Sequence, residues 1–348
     1  MTTYPGTLAE LREHPRTWLV TGAAGFIGSN LTQALLDLGQ HVVGLDDLST
    51  GHLRNLAQAV GDHPDRAARF RFVEGSIVDE AACRDACRGV DYVLHHAALC
   101  SVSASIADPA SVHAVNEGGF VQVMEVARAA GVRRVVYAST SAVYGDRSGG
   151  ALNEDVIGRP LSPYGLGKRN NEQYACLYRR VYGLESVGLR YFNVFGPRQD
   201  PAGAYAAVVP SWTQRLIDGD PCETHGDGLT TRDFCHVDNV VQANLLAATA
   251  PLPASSGRVY NVGCGANTTL NDLFDVLRRS VARHVPAAAA SRAVHGPFRP
   301  GDVRRSQAAL SLIRMHLGYR PDVSVSEGLA NTVDWYFQQN TGTLSAVG

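Results

Sequence analysis

The amino-acid sequence predicts an α/β protein, a doubly wound parallel sheet with a smaller, mainly C-terminal α/β lobe. Three observations predict it. Short apolar strands alternate with helically spaced segments through the first half of the chain, the pattern of parallel strands joined by crossover helices. The first of these strands enters a glycine-punctuated turn and then an amphipathic helix. A length of 348 residues, 45% hydrophobic and 18% charged with 35 glycines, suits a large core in two lobes or one elaborated domain. A net charge of -2 without a long run of one sign leaves no electrostatic footprint for nucleic acid or an anionic membrane.

In chain order, residues 1–16 carry Leu8 and Leu11 at helical spacing, which predicts a short helix lying on the body of the protein. Glu10, Arg12 and Glu13 interrupt any apolar run of the kind a secretion signal needs, and no later stretch is apolar enough to span a bilayer. Residues 18–21 read as a strand that runs into Gly22, Gly25 and Gly28, and residues 29–38 continue as a helix through Leu31, Ala34, Leu35 and Leu38. Strand, glycine turn and helix are the context of a Rossmann-type dinucleotide site. Gly22 and Gly25 permit a tight turn and close approach of a pyrophosphate to the helix N-terminus, and Gly28 permits helix and strand to pack closely. The next strand, 41–45, ends at Asp46. An acidic residue there accepts hydrogen bonds from ribose hydroxyls and repels a 2′-phosphate, which favours NAD over NADP.

The alternation continues with strands at 69–73, 91–95 and 133–138 and helices at 80–87 and 110–130. Their carboxyl ends carry Ser76-Ile77, His96-Ala97-Ala98 and Ser139-Thr140-Ser141, where ligands of such a sheet lie. His95 and His96 are adjacent strand residues on opposite faces, a poor metal pair. At Ser162-Pro163-Tyr164-Gly165-Leu166-Gly167-Lys168, Ser162 caps a helix over 163–182 and Pro163 suits its first turn. Tyr164 and Lys168 then share a face. A phenol titrates near 10, and a fixed positive charge beside it favours the phenolate, so Tyr164 is a candidate base whose pKa Lys168 lowers. Gly165 and Gly167 weaken this helix unless close packing needs them. The seven cysteines lack any Cys-x-x-Cys or Cys/His ligand spacing, which disfavours structural zinc or a disulfide framework and fits reduced thiols in a cytoplasmic setting.

Taken together, the glycine turn, Asp46, His96-Ala97-Ala98, Asn116, Ser139-Thr140-Ser141, Tyr144-Gly145 and the Tyr164/Lys168 pair resemble the extended short-chain dehydrogenase/reductases that act on nucleotide sugars. The match covers the first 195 residues. The resemblance implies a cofactor-binding unit of residues 1–192, with 234–262 returning to it, and a nucleotide-sugar lobe of 193–233 and 263–348. It implies that NAD is held tightly and regenerated at each turnover by Gly22, Gly25, Phe26, Ile27, Gly28, Asp46, Ser49, Thr50, Gly51, Ser76, Ile77, His96, Ala97, Ala98, Asn116, Ser139, Tyr164, Lys168, Tyr191 and Asn193, with Phe192 in the same segment. It implies that a UDP-sugar meets Ser101, Ser141, Tyr164, Asn193, Ala207, Val208, Trp212, Arg232, Arg299, Asp302 and Ser306. Arginines answer a diphosphate and an aspartate accepts from ribose. Trp212 also reads as core, since an aromatic at helical spacing usually packs inward. A homodimer through helices 110–130 and 163–182 is implied by the same analogy.

The chemistry implied is 4-epimerisation. Dehydratases of the family place an acid after the Ser/Thr, whereas here Ser141 and Ala142 follow Thr140, and neither can protonate a leaving hydroxyl. What remains is removal of hydride from C4 and its return on the other face, with Tyr164 exchanging the proton and Thr140 and Ser141 holding the reacting oxygen. Ser306 stands where UDP-galactose 4-epimerases of bacteria carry tyrosine, and a small side chain admits a 2-acetamido group. The overall pattern is most similar to bacterial UDP-N-acetylglucosamine 4-epimerases of O-antigen and capsule pathways. Plain UDP-hexoses and UDP-uronic acids are the alternative substrates, and another nucleotide-sugar oxidoreductase or a non-catalytic NAD-sensing protein the more distant ones. Two departures stand out: Ser76 replaces an aspartate that reads the adenine, and Cys100 replaces a glycine beside the substrate. Helices are also expected at 306–317 and 326–337, and 291–298 carries no clear pattern.

Overall fold

The structure, a computed structural model of the chain, describes residues 3–147, 149–201, 207–251, 257–298 and 303–344. The N-terminal helix α1 (Tyr4–Glu13) is capped by Thr3, whose hydroxyl accepts from Gly6 N–H, and it buries Leu11. Then come β1 (Thr17–Thr21), α2 (Phe26–Asp37), β2 (His41–Asp46), α3 (Leu53–Val60), α4 (Pro64–Ala67), β3 (Phe70–Glu74), α5 (Glu80–Ala86) and β4 (Tyr92–His95). Helices α6 (Val102–Ala107), α7 (Pro109–His113) and α8 (Gly119–Ala129) lead to β5 (Arg134–Thr140), followed by α9 (Pro163–Tyr182) and β6 (Ser186–Tyr191). The remainder comprises β7 (Val194–Phe195), α10 (Val208–Asp218), β8 (Cys222–His225), β9 (Thr231–Arg232), β10 (Cys235–His236), α11 (Val237–Thr249), β11 (Arg258–Val262), β12 (Thr268–Thr269), α12 (Leu270–Ala282), β13 (Ala293–Gly296), β14 (Arg305–Ser306), α13 (Ser311–Leu317) and α14 (Val325–Leu344).

Seven of the described strands form one parallel sheet in the order β11-β6-β5-β4-β1-β2-β3. The order reverses at β1, so the loops after β1 and β4 part there and leave a crevice. Register aligns the carboxyl ends. Thr21 pairs with Leu45 on one side and His95 on the other, and Thr140 pairs with Tyr191. Asp46, the glycine turn, His96, Thr140 and Tyr191 consequently share one edge of the sheet.

Strand residues alternate between faces, as period-2 geometry requires. Trp18, Val20, Leu94, Val136 and Val187 join one core cluster with residues of α2 and α11, while Leu19, Val43, Val93, Val135 and Tyr137 join another with Phe120 and Met124 of α8. A third cluster, built from Trp212, Leu273, Leu277, Leu329 and Val333, packs α10, α12 and α14 together. No helix among the described residues is long and apolar enough to cross a membrane.

Three segments differ from the sequence reading. The expected helix over 110–130 is interrupted by a π-helical turn, Ala114–Gly118, between α7 and α8. Residues 306–317 are not one helix: Ser306 ends β14, paired in parallel with β9, and α13 begins at Ser311. The segment without a clear pattern contains β13, which pairs with β8. Pairings between segments this distant in sequence override local periodicity.

Candidate active site

The crevice at the sheet edge is a cleft of about 1190 Å³. Its floor is the glycine turn. Gly22 has φ +70°, and a Cβ there would stand 2.7 Å from Ala97 N; on Gly28 it would lie 2.0 Å from Gly22 O. Side chains are therefore excluded from both positions. The α2 N-cap is Gly25, which offers no side-chain acceptor, so backbone N–H groups at the positive end of the helix face the cleft. Asp46 accepts from Ala24 N–H at 2.9 Å and Leu48 N–H at 2.8 Å, and burial raises its pKa despite those bonds. An anion-binding turn beside a fixed carboxylate fits a dinucleotide, so Gly22, Gly25, Phe26, Ile27, Gly28, Asp46, Ser49 and Thr50 would hold the adenosine diphosphate half.

The loop after β4 forms the next wall. Thr21 Oγ1 accepts from His96 and Ala97 N–H groups at 3.1 and 3.2 Å and pairs with His95 Nδ1 at 2.8 Å, which locks the strand end in place. His96 Nε2 is 2.8 Å from the Tyr191 hydroxyl, which also takes a hydrogen bond from Asn244 Nδ2. Burial pushes the His96 pKa down to about 3, so the ring is neutral. Asn116, within the π-turn, grips Leu99 through both of its amide atoms, at 2.8 and 2.9 Å. That fixes Cys100 and Ser101, which line the cleft.

Tyr164 and Lys168 enter from α9, whose cap is as the sequence predicts: Ser162 Oγ accepts from Gly165 N–H at 3.1 Å. Gly165 has a purpose here. A Cβ on it would come within 2.8 Å of Ala142 O, so its absence lets α9 approach the 3₁₀ turn Ser141–Tyr144. The Tyr164 phenol hydrogen-bonds Thr140, and Thr140, Ser141, Tyr164 and Lys168 all line the cleft. One expectation is reversed. Burial raises the Tyr164 pKa, Cys100 adds to the rise, and the Thr140 hydrogen bond opposes it. Lys168 Nζ donates instead to Ala138 O at 2.9 Å, and its own pKa is lowered by burial. The ammonium is held against β5.

The far wall comes from the second half of the chain. Asn193 sits at φ +21°, a strained conformation for a non-glycine residue, with Nδ2 donating to Asp233 O at 3.3 Å. Arg232 and Ser306 are direct partners in the β9–β14 ladder and both line the cleft, as does Ala207. Buried Asp233 organises this wall: its carboxylate accepts from the N–H groups of Cys264, Gly265 and Ala308 at 2.8, 2.9 and 3.0 Å.

Not every candidate reaches the cleft. Trp212 is 4% exposed and packs edge-on against Phe274 at 5.9 Å; it is core, as are Phe192 and, in part, Val208. Gly51 packs beneath Asp46, Asn116 acts through Leu99, and the Ser76 hydroxyl bonds the Asp47 carboxylate. Ile77 and Ser139 line the cleft, although the Ser139 hydroxyl donates to buried Glu172 at 2.6 Å. Arg299 and Asp302 lie outside the described residues. Sequence reasoning missed Arg198, which lines the cleft at φ +69° among the amide oxygens of Asn30, Gln33 and Gln58, burial pushing its pKa down to about 10. It also missed His52 and Asp200, paired across the cleft at 3.0 Å. The Gly196-Pro197-Arg198 turn was the available signal.

Comparison with known proteins agrees with this geometry. Residues 18–263 match the NAD dependent epimerase/dehydratase family. The UDP-glucose 4-epimerase of Mycolicibacterium smegmatis is 40% identical over 91% of this chain and 97% of its own length. Thermotoga maritima UDP-glucose 4-epimerase with UDP-glucose superposes with a TM-score of 0.84 at 36% identity, covering 93% of this chain and 99% of that one. The UDP-N-acetylglucosamine 4-epimerase of Methanobrevibacter ruminantium, in complex with UDP-N-acetylmuramic acid, gives a TM-score of 0.85 at 32% identity with the same two coverages. With its parallel sheet, glycine turn and Tyr164/Lys168 helix, the chain belongs to the NAD dependent epimerase/dehydratase family.

Proposed function

We propose that this protein interconverts UDP-N-acetylglucosamine and UDP-N-acetylgalactosamine by epimerisation at C4. The observation that carries the reading is Ser306, a small residue beside Arg232 on the cleft wall, which leaves space for a 2-acetamido group. Ala142 supports epimerisation over elimination, since no acid follows Thr140 to protonate a leaving hydroxyl. The solved relative named for UDP-N-acetylglucosamine is consistent with the acetylated substrate, and the two named for UDP-glucose make plain UDP-hexoses the second reading.

Bound NAD supplies hydride acceptance and return. Tyr164 takes the proton of the sugar 4-hydroxyl and gives it back after the 4-keto sugar has turned over in the cleft, while Thr140 and Ser141 hold the reacting oxygen. Arg232 meets the diphosphate. On this reading residues 1–192 with 234–262 form the cofactor unit, and 193–233 with 263–348 hold the nucleotide sugar. The free thiols suit a reduced cytoplasm. A second copy would cover the apolar residues exposed along α9, namely Leu166, Tyr174, Leu177, Val181 and Tyr182.

Proton NMR of the protein with each of UDP-GlcNAc, UDP-GalNAc, UDP-glucose and UDP-galactose tests the proposal. The acetylated pair should interconvert with the higher kcat/KM and without added cofactor turnover. No conversion of any pair would overturn epimerisation, and equal rates would overturn the acetyl preference.

A further inference from the structure

The cleft holds a buried cation that the chemistry above leaves unused. Arg198 is 8% exposed and lines the cleft. It follows β7 in the second half of the chain, yet its three acceptors all belong to the first half. Nη1 donates to Asn30 Oδ1 at 3.2 Å and Nη2 to Gln33 Oε1, both on α2, and Nε donates to Gln58 Oε1 on α3 at 3.4 Å. All three are neutral amides. Among the described residues no carboxylate forms an ion pair with it, and Asp37, whose charge acts on it through space, is taken by Arg66. A buried charge is costly unless it is paired. A guanidinium carries five N–H donors, of which these bonds use three.

The guanidinium is not needed to hold its own turn. Asn30 Nδ2 donates to Pro197 O at 3.0 Å, Gln199 Nε2 donates to Val194 O at 3.2 Å, the Tyr336 hydroxyl donates to Gln199 O, and His52 pairs with Asp200 at 3.0 Å. These contacts pin residues 197–200 from both sides and keep Arg198 at a left-handed φ of +69°. Such strain persists in a non-glycine residue where the surroundings over-determine it, and it gathers at ligand clamps. The Asn30 side chain that receives Nη1 also donates to Phe26 O at 2.8 Å. Phe26 opens α2 and lines the cleft, so the guanidinium stands two hydrogen bonds from the helix end whose backbone N–H groups face an incoming anion.

We propose that Arg198 is a cofactor-binding residue: together with the glycine turn, its remaining N–H groups meet the pyrophosphate of NAD, and its charge retains the cofactor in the cleft. The pyrophosphate supplies the negative partner that the three amides do not, and a guanidinium matches phosphate oxygens in both charge and fork geometry. Arg232, on the wall formed by β9 and β14, serves the diphosphate of the sugar nucleotide in the reading above. The role of Arg198 rests on NAD as the cofactor of the family and is the same whichever sugar is turned over.

The test passes NAD-loaded protein through a desalting column and assays the NAD set free over time. Arg198→Gln should release NAD about 10–100-fold faster than the wild type, the span of a hydrogen bond between charged groups. Arg198→Lys, which keeps the charge, should stay closer to the wild type, and both variants should keep the wild-type circular dichroism spectrum. An unchanged release rate in Arg198→Gln would overturn the proposal. Equal acceleration in Arg198→Gln and Arg198→Lys would also overturn it, since Arg198 would then only fasten its turn. Should Arg198→Gln fold poorly, Gln33→Glu sets a carboxylate against Nη2 and neutralises the guanidinium where it stands. Release should again quicken, whereas a residue that merely fastens the turn, now more firmly bonded, would let NAD go no faster than the wild type does. Because NAD itself is read, failure to epimerise any UDP-sugar would count against the function proposed above and leave this result standing.

Discussion

Arg190 and Glu172 meet in two parallel hydrogen bonds, Nε to Oε1 at 2.9 Å and Nη2 to Oε2 at 2.8 Å, with both side chains 3% exposed. Glu172 lies two turns beyond Tyr164 on α9 and also accepts from Ser139, while Arg190 precedes Tyr191 on β6 and reaches the Tyr144 hydroxyl at 3.0 Å. The pair fastens the helix that carries the phenol to the two strands that carry Thr140 and Tyr191. Removing one partner strands a buried charge, at a cost of about 3–5 kcal/mol. Glu172→Ala should lose about that much in urea unfolding, whereas the double change Glu172→Leu with Arg190→Met should lose less. A double variant that falls further than the single one would contradict this account.

Tyr164→Phe should lower kcat by about 10²–10⁴-fold, with NAD and UDP-sugar binding retained in calorimetry. Because the Thr140 hydrogen bond favours the phenolate, Thr140→Val should shift the rising limb of the kcat/KM profile to higher pH. A limb that stays in place would assign the ionisation to another group.

Ser306→Tyr places a large ring beside Arg232. Turnover of UDP-GlcNAc should drop by about 10–200-fold, the range that pocket size commands, while UDP-glucose turnover persists. NMR rates for both sugars measure this, and an equal loss for both would remove Ser306 from the specificity argument.

Burial raises Asp233 to about 6, against the Ala308, Cys264 and Gly265 N–H groups that favour its charge. The folded value exceeds the unfolded one, near 3.9, so folding takes up a proton between them. The group's contribution to stability is full below about pH 4 and is lost as pH rises through about 6, a change of about 3 kcal/mol. The wild-type unfolding free energy minus that of Asp233→Asn should therefore decline across this window and level off above it. A difference that does not vary with pH would show that the carboxylate titrates normally.

Val181 is 56% exposed near the end of α9. If a second copy covers that face, Val181→Asp should convert a dimer to a monomer in light scattering without changing the circular dichroism spectrum. A wild-type monomer would refute the dimer outright.

Local signals made much of this site legible. The glycine turn, Asp46 and the Ser162 cap each rest on chemistry within a few residues, and each stands where the sequence places it. What depended on distant partners did not show. Ser306 looked like a helix start because β14 exists only through its pairing with β9. Lys168 looked like the partner of the phenol because the carbonyl that holds it, Ala138, lies 30 residues away. Arg198 was silent because its acceptors sit on α2 and α3, far back in the chain. The π-turn left no trace, since apolar residues on either side keep helical spacing.

That wide turn has a consequence for how the chain can vary. Its extra residue frees the Asn116 carbonyl, which Asn171 Nδ2 takes at 2.9 Å, and sets the rotational phase of all that follows in α8. Deleting one residue from 114–118 would restore ordinary winding yet swing Phe120 and Met124 by about 100°, out of the sheet's core. Apart from Asn116, whose amide holds Leu99, exchange of letters is more tolerable in this stretch than a change in their number. Length drift among descendants of this chain is thereby confined to its surface loops, and the spacing from Asn116 to Phe120 becomes a fixed ruler.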